Sequence, residues 1–383
     1  MKASRLLPAI LAAALAAGCS SSAPDDAVDL TSQALAAARA SSLDPAAAKG
    51  AELHVYTWSD YIAPDVVRSF QEALGCTVVI DSFESNEAMY AKLKAGGNGY
   101  DIVTPTSYQI GTMAKAGMIV PLDRSRLPNL AGFDPRFASQ VLDPSFAHSV
   151  PYAVTYTGFA YRKDKLPAGA DPATWSILAN PALKGRVTLL DDIREVIGAG
   201  LMSLGYSINS TDPAEIDAAV ERVRSWRANV RKFDAESYKT EVPSGATYLG
   251  HGYSSDAIQV IVGDEEAGVE PRPDVGFALP VEGFTIGVDE MVLTSDAPRP
   301  DLAYAFMNYL YDGDVARANM EYICAPVPVK AGIDMLDEDY RDLIILDDET
   351  IARGQVLRGF DDRPEVLELY NKAWDRVKAT DAR

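Results

Sequence analysis

From residue 52 onward, short apolar runs alternate with amphipathic ones. LHVYTW reads as a strand, and PDVVRSFQEAL as a helix with Pro64 at its first position and Gly75 at its end. CTVVIDSF is a second strand, followed by the helix NEAMYAKLKA, which stops at Gly96 and Gly97. YDIVTPT is a third strand, and YQIGTMAKAG a helix closed by Gly117. This alternation predicts a parallel sheet sandwiched between helices. After the apolar run PYAVTYTGFAYR (151–162) the same grammar restarts. RVTLL, ATYLGHG and VGFALP read as strands; IREVIGAGLMSL, DPAEIDAAVERVRSWR and SSDAIQVIVG read as helices. GFTIGVDEMVLT (283–294) suggests a returning strand pair, and amphipathic helices fill 301–311, 314–322 and 364–378. The expected architecture is α/β, with two lobes joined by extended crossings near 152–158 and 283–288. Lobe 1 would hold 52–155 with 288–333, and lobe 2 would hold 156–287 with 334–383. The folded part, about 330 residues, exceeds what one core usually serves.

The N-terminus follows another rule. MKASR is basic, LLPAILAAALAA is apolar but too short to span a bilayer, and small residues lead into Cys19. Residues 1–19 resemble a bacterial lipoprotein signal, which would leave a lipidated Cys19 as the mature first residue and the protein anchored to a membrane in the periplasm. An ordinary cleaved signal peptide is the alternative. Residues 20–51, rich in Ser, Ala, Asp and Pro, read as a flexible tether in which SQALAAARA (32–40) is too short and uniform to hold a helix alone. The 35 basic and 55 acidic residues give a formal charge of −20. That balance argues against nucleic acid and anionic lipid surfaces as partners and would steer a small cation inward. Cys76 and Cys324 read as independent small hydrophobes rather than a bridge.

Ligands of open α/β sheets lie beyond the carboxyl ends of the strands, so those ends carry the candidate chemistry. YTWSDYIAP presents Trp58 and Tyr61; DSFESNEAMY presents Glu84 and Ser85; TPTSYQ presents Thr106 and Tyr108; LLDDIRE presents Asp192 and Glu195. Each has a plainer explanation. Ser85 suits a helix N-cap, Asp192 and Glu195 have the spacing of a capping box, and Trp58 could pack on the neighbouring helix. The combination points elsewhere. A ring face attracts an organic cation by about 0.5–2 kcal/mol, and a carboxylate adds a charge-assisted hydrogen bond to an ammonium. Rings from one lobe facing carboxylates from the other would box a protonated amine. Catalysis has little behind it. His251, Ser254 and Asp256 are close in LGHGYSSD, but the closing glycine of a nucleophile elbow is missing. His54, His148 and His251 show no metal-ligand spacing, and no phosphate-binding glycine motif occurs, so neither metal nor cofactor is expected.

The segments YTWSDYIAP, ESNEAMYAKL, YDIVTPTSY, GMIVPLD, PYAVTYTG, LLDDIREVIGAGLMSLGYSINSTDPAEI and GVDEMVL occur in an order and spacing that resemble the periplasmic spermidine/putrescine-binding proteins of ABC importers. The resemblance runs from about residue 52 to the end. It implies a two-lobed periplasmic-binding-protein fold (type II, cluster-D-like). It also implies a monomer that closes on a polyamine and delivers it to a permease and its ATPase. By position, Trp58 and Tyr61 would stack on the ligand, Thr106 and Tyr108 would touch it, and Asp192 and Glu195 would hold ammonium groups. Asp289 would be the central acidic anchor. The chain departs from the family at His251 and Gly287, where a Trp is common, and at Ala325 and Leu357, where Tyr and Gln are common. His251 is expected either to replace a cleft ring or donate a hydrogen bond there, or equally to be a satisfied turn residue, and the cleft to be wider unless Tyr253, Tyr248 or Phe284 fill the space. A receptor-coupled sensor built on the same clamshell is the alternative to import.

Overall fold

A computed structural model describes residues 29–97, 99–264, 268–360 and 363–379. The expected signal segment 1–19, its Cys19 and the start of the tether lie outside the described residues.

The first lobe opens with α1 (Leu30–Ala40) and α2 (Pro45–Ala48). It continues through β1 (Glu52–Thr57), α3 (Pro64–Leu74), β2 (Thr77–Ser82), α4 (Asn86–Lys94), β3 (Ile102–Val103) and α5 (Ser107–Lys115). β4 (Ser149–Arg162) leads into the second lobe, which holds β5 (Val187–Leu189), α6 (Ile193–Met202), α7 (Pro213–Trp226) and β6 (Val230–Phe233). α8 (Tyr238–Ser244), β7 (Leu249–Tyr253), α9 (Ser254–Val262) and β8 (Val275–Ala278) follow. β9 (Phe284–Leu293) brings the chain back to α10 (Pro300–Leu310), α11 (Gly313–Ile323), α12 (Lys330–Asp334), α13 (Glu338–Ile344) and α14 (Asp348–Ile351). β10 (Gly354–Val356) crosses again to α15 (Pro364–Lys378).

The strands run β2-β1-β3-β9-β4-β7-β5-β6, with β10 on β9 and β8 on β4. β1 is parallel to β2 and β3 at one end, and β5 is parallel to β6 and β7 at the other. Between them β4 and β9 run antiparallel from Ser149↔Val292 to Thr157↔Thr285, so the lobes share these long strands and little else of the sheet. Buried side chains sort accordingly. Leu53, Val55, Phe70, Phe306 and Tyr309 belong to one core, and Trp175, Leu201, Val220, Trp226 and Leu249 to another. A smaller cluster of Tyr56, Phe83, Met89 and Met113 serves α4 and α5.

One sequence expectation needs correction here. α1 is not loose tether. Asp29 caps it by accepting from the Ser32 N–H (3.2 Å), and Ala34, Ala37 and Ala38 are buried where it meets α3 and α10. Alanine lets helices approach closely, so a face with little hydrophobicity per residue still packs at core density. Near the last crossing, Leu336 and Ile344 join the first cluster while α13 also packs on α9, and the second core resumes at Leu357 and Phe360. Cys76 and Cys324 are buried free thiols. No described helix is long and apolar enough to cross a membrane.

Candidate functional site

Parallel strands from both lobes aim their carboxyl ends at one cleft of ≈ 1120 Å³, counted out to its open mouth. Trp58, Asp60 and Tyr61 follow β1; Phe83, Glu84 and Ser85 follow β2; Thr106 and Tyr108 follow β3. Opposite them, Asp192 and Glu195 follow β5, Glu236 and Lys239 follow β6, and Tyr253 and Asp256 lie at the end of β7. Thr155, Gly287 and Asp289 come from the crossing strands. Asp60, Glu84, Asp192, Glu195, Glu236, Asp256 and Asp289 thus face the cleft, against Lys239 as the lining cation among the described residues.

Asp289 is built into place. Thr106 Oγ1 donates to its Oδ1 (2.6 Å), Tyr61 Oη donates to its Oδ2, and Asn86 Nδ2 in turn donates to Thr106 Oγ1 (2.9 Å). Burial pushes the Asp289 carboxyl up to about 6, against the pull of the Thr106 and Tyr61 hydroxyls. Burial and the Asp289 charge together keep Tyr61 a phenol. Strand alternation sends the adjacent Glu290 to the other face, where Ser107 and Ser149 hydroxyls donate to it.

Asp192 and Glu195 decide between cap and ligand group. Asp192 does cap α6, with the N–H groups of Arg194 (2.7 Å) and Glu195 (3.0 Å) donating to its Oδ1. Glu195 does not close the box. Its carboxylate turns away to accept from Thr157 Oγ1 (3.1 Å) and Thr285 Oγ1 (2.7 Å) on the crossing strands. Burial, then the Asp192 charge, holds the Glu195 carboxyl well above the ordinary range, and burial raises Asp192 as well. Two neighbouring acids in this state gain most from an arriving cation, which relieves both desolvation and repulsion. Arg194, buried beside them, spends its hydrogen bonds on Arg358 O (3.0 Å) and Asn209 Oδ1 (3.1 Å) and lies 4.2 Å over the Phe360 ring.

The rings are Trp58, Tyr61, Phe83, Tyr108 and Tyr253. Trp58 leans on Phe83 at 4.5 Å between centroids, so it packs on a neighbouring ring while also lining the cleft. Ser85 likewise caps α4, accepting from Ala88 N–H (3.1 Å), while lining the cleft. His251 is a correction. It is fully buried, 5.4 Å from Trp175 and 6.0 Å from Phe159, and neither ring nitrogen has a hydrogen-bond partner. Desolvation drives its pKa down to about 3, so it stays neutral. It sits two residues too deep in β7, and Tyr253, at the strand's end, supplies the ring instead. Tyr248 stacks on Arg186 and Phe284 joins the first core, so neither fills the cleft. Ala325 is core as well, whereas Leu357 does line the cleft. At Gly287 a Cβ would come 2.9 Å from Thr155 Oγ1 of the paired strand, so the wall stays low there.

Asp256 is a cleft carboxylate that sequence reasoning weighed only as part of a triad. The triad is absent: Ser254 Oγ accepts from Tyr156 N–H (3.1 Å), and Asp256 accepts from Tyr238 Oη. Tyr238 lies flat on β7 only because residue 252 is glycine, where a Cβ would fall 2.3 Å from the ring. Among the described residues no cluster of three or more His, Cys, Asp or Glu could hold a metal.

Residues 65–342 match the model of a family described as bacterial extracellular solute-binding proteins. The putrescine/cadaverine-binding protein of Pseudomonas aeruginosa is 35% identical over 334 residues, covering 85% of this chain and 93% of its own. The crystal structure of the spermidine/putrescine ABC transporter substrate-binding protein PotD from Streptococcus pneumoniae superposes with a TM-score of 0.72 at 30% identity, covering 86% of this chain and 100% of that one. The TpPotD lipoprotein of Treponema pallidum gives 0.74 at 28% identity, with 85% of this chain and 99% of that one covered. With its two lobes and intervening cleft, the chain belongs to the bacterial extracellular solute-binding proteins.

Proposed function

We propose that the protein captures a short aliphatic polyamine between its lobes, closes on it by bending the crossing strands, and hands it to an ABC permease driven by an ATPase. Asp289, fixed by Tyr61 and Thr106, takes one ammonium, and Asp192 with Glu195 takes another. Trp58, Tyr61, Tyr108 and Tyr253 supply ring faces for the methylene chain and the cationic nitrogens. No covalent step is part of this reading. A lipid on Cys19 would hold the protein at the membrane next to its permease, on the outer side of the cytoplasmic membrane or in the periplasm at large.

The observation that carries the proposal is that Asp192, Glu195 and Asp289 line one cleft with no salt-bridge partner among the described residues, their carboxyls raised chiefly by burial despite the nearby Arg194 charge on the first two. The names of the relatives, which speak of putrescine, cadaverine and spermidine, support it. Calorimetric titration of the protein lacking residues 1–19 with polyamines, amino acids and sugars tests it. Saturable binding of amines alone is expected; uptake of a neutral or anionic solute with indifference to every amine would overturn it.

A further inference from the structure

Lys239 is an oddity in a site for cations. It projects from α8 into the cleft, with Nζ 2.7 Å from Glu236 and 3.7 Å from Asp256. Its side chain is 29% exposed, so the ammonium is partly withdrawn from water. Asp256 cannot turn away from it, because Tyr238 Oη donates to the other oxygen while accepting from the Tyr253 N–H (3.1 Å). Burial pulls Lys239 down, yet the charges of Asp256, Glu236 and Asp60 outweigh it and keep the ammonium firmly protonated. The cleft is therefore asymmetric. Asp289, Asp192 and Glu195 accept from hydroxyls and backbone N–H groups, and Arg194 beside the last two spends its hydrogen bonds on Arg358 O and Asn209 Oδ1. At the Asp60–Glu236–Asp256 end, by contrast, Lys239 lines the cleft and pairs with Glu236 and Asp256 directly.

We propose that Lys239 is a specificity-determining residue that closes the Asp256 end to ligand cations. The cleft then takes a diamine spanning Asp289 and the Asp192–Glu195 pair and disfavours a triamine whose third ammonium would have to settle at Asp256. Asp256 is the next carboxylate along: its charge is felt by Tyr253, together with those of Asp192 and Glu195, and by Tyr61 together with that of Asp289. A ligand ammonium there would meet Nζ at close range in a half-desolvated site, where like charges repel far more than in water. The inference rests on the polyamine reading and adds the length of the amine and the residue that sets it.

Calorimetry with putrescine and spermidine on the wild type, Lys239→Met and Lys239→Arg tests it. Methionine keeps most of the lysine stem without its charge, and arginine keeps the charge. The wild type should prefer the diamine. Lys239→Met should raise the spermidine-to-putrescine affinity ratio by about tenfold or more, while Lys239→Arg should leave it near the wild-type value. A wild type that binds spermidine as tightly as putrescine overturns the proposal. So does a Lys239→Met variant that gains equally for both amines, since that reports only the general field. Binding of neither amine by the wild type would instead bring down the polyamine reading itself.

Discussion

At the scale of single residues, Asp289 carries the sharpest consequences. It is an acid whose place was legible in GVDEM only through resemblance, because nothing in the local pattern says that Asp289 faces a cleft while Glu290 faces serines. Asp289→Asn keeps the shape and removes the charge, so diamine affinity should fall by about 1.5–3 kcal/mol, the worth of a charge-assisted contact; titration calorimetry reads this directly. The pH dependence follows from the same group. Without a ligand its proton is held up to about pH 6, above the ordinary aspartate range of about 4. Below the lower value both folded and unfolded chains are protonated. Between the two only the folded chain is, so folding stability from this group is lost as pH rises through that window, and is level above it. Binding has the opposite sign, since the ammonium needs the bare carboxylate. Diamine affinity should climb with pH through about 6 as Asp289 loses its proton, by as much as about tenfold per unit, and go on climbing more gently to about 8 as Glu195 follows. The Asn variant should lose the part of the slope near 6 and keep the part that Glu195 gives. His251 shows the limit of reading residues without depth: its strand was legible, but a two-residue displacement along β7 separates a neutral core imidazole from the cleft ring Tyr253.

Whole elements were read well where polar and apolar positions contrast, as in α3 and α15, and poorly where they do not. α1 was missed as a packed helix because its buried face is Ala34, Ala37 and Ala38, which carry almost no contrast with the surrounding alanines. If that face seals the first core, a chain beginning at Ala51 should lose at least about 2 kcal/mol of stability in denaturant titrations, from the alanines and the surface they cover, while its ligand affinity stays level. A protein as stable without α1 would return the segment to the role of tether. α6 offers a cleaner separation of roles. Asp192 both caps the helix and faces the cleft, two tasks that one spacing pattern cannot tell apart. Asp192→Asn preserves a good cap and drops the charge; Asp192→Ala drops both. Unfolding free energy should fall by about 0.5–2 kcal/mol for Ala and little for Asn, whereas affinity should fall for both. Equal affinities for wild type and Asn would reduce Asp192 to a cap.

At the scale of the molecule, the two cores are separate clusters that touch the opposite lobe mainly through Ile258 of α9 and Tyr108 of α5, and the chain passes between them along β4, β9 and β10. Bending those strands changes the cleft without opening either core, which is why closure is the soft motion available. Charge decides its direction. Glu84 and Asp289 come from one side or the floor and Asp192 and Glu195 from the other, while Lys239 sits among Asp60, Glu236 and Asp256, so without a ligand the carboxylates away from Lys239 face one another across the gap. Mutual repulsion over several ångströms is only partly screened where the Debye length is about 8 Å. A diamine cancels it from both sides at once, and only a ligand that favours the closed state over the open one can shift the balance. A monoamine of the same length, such as butylamine, neutralises one wall and leaves the other facing an alkyl end. Small-angle scattering should therefore show a smaller radius of gyration with saturating putrescine and little change with saturating butylamine. Raising ionic strength should weaken putrescine binding, chiefly through a slower association rate. Equal compaction by the two amines would mean that ring packing on the methylene chain closes the lobes, and that charge across the cleft sets affinity without setting shape.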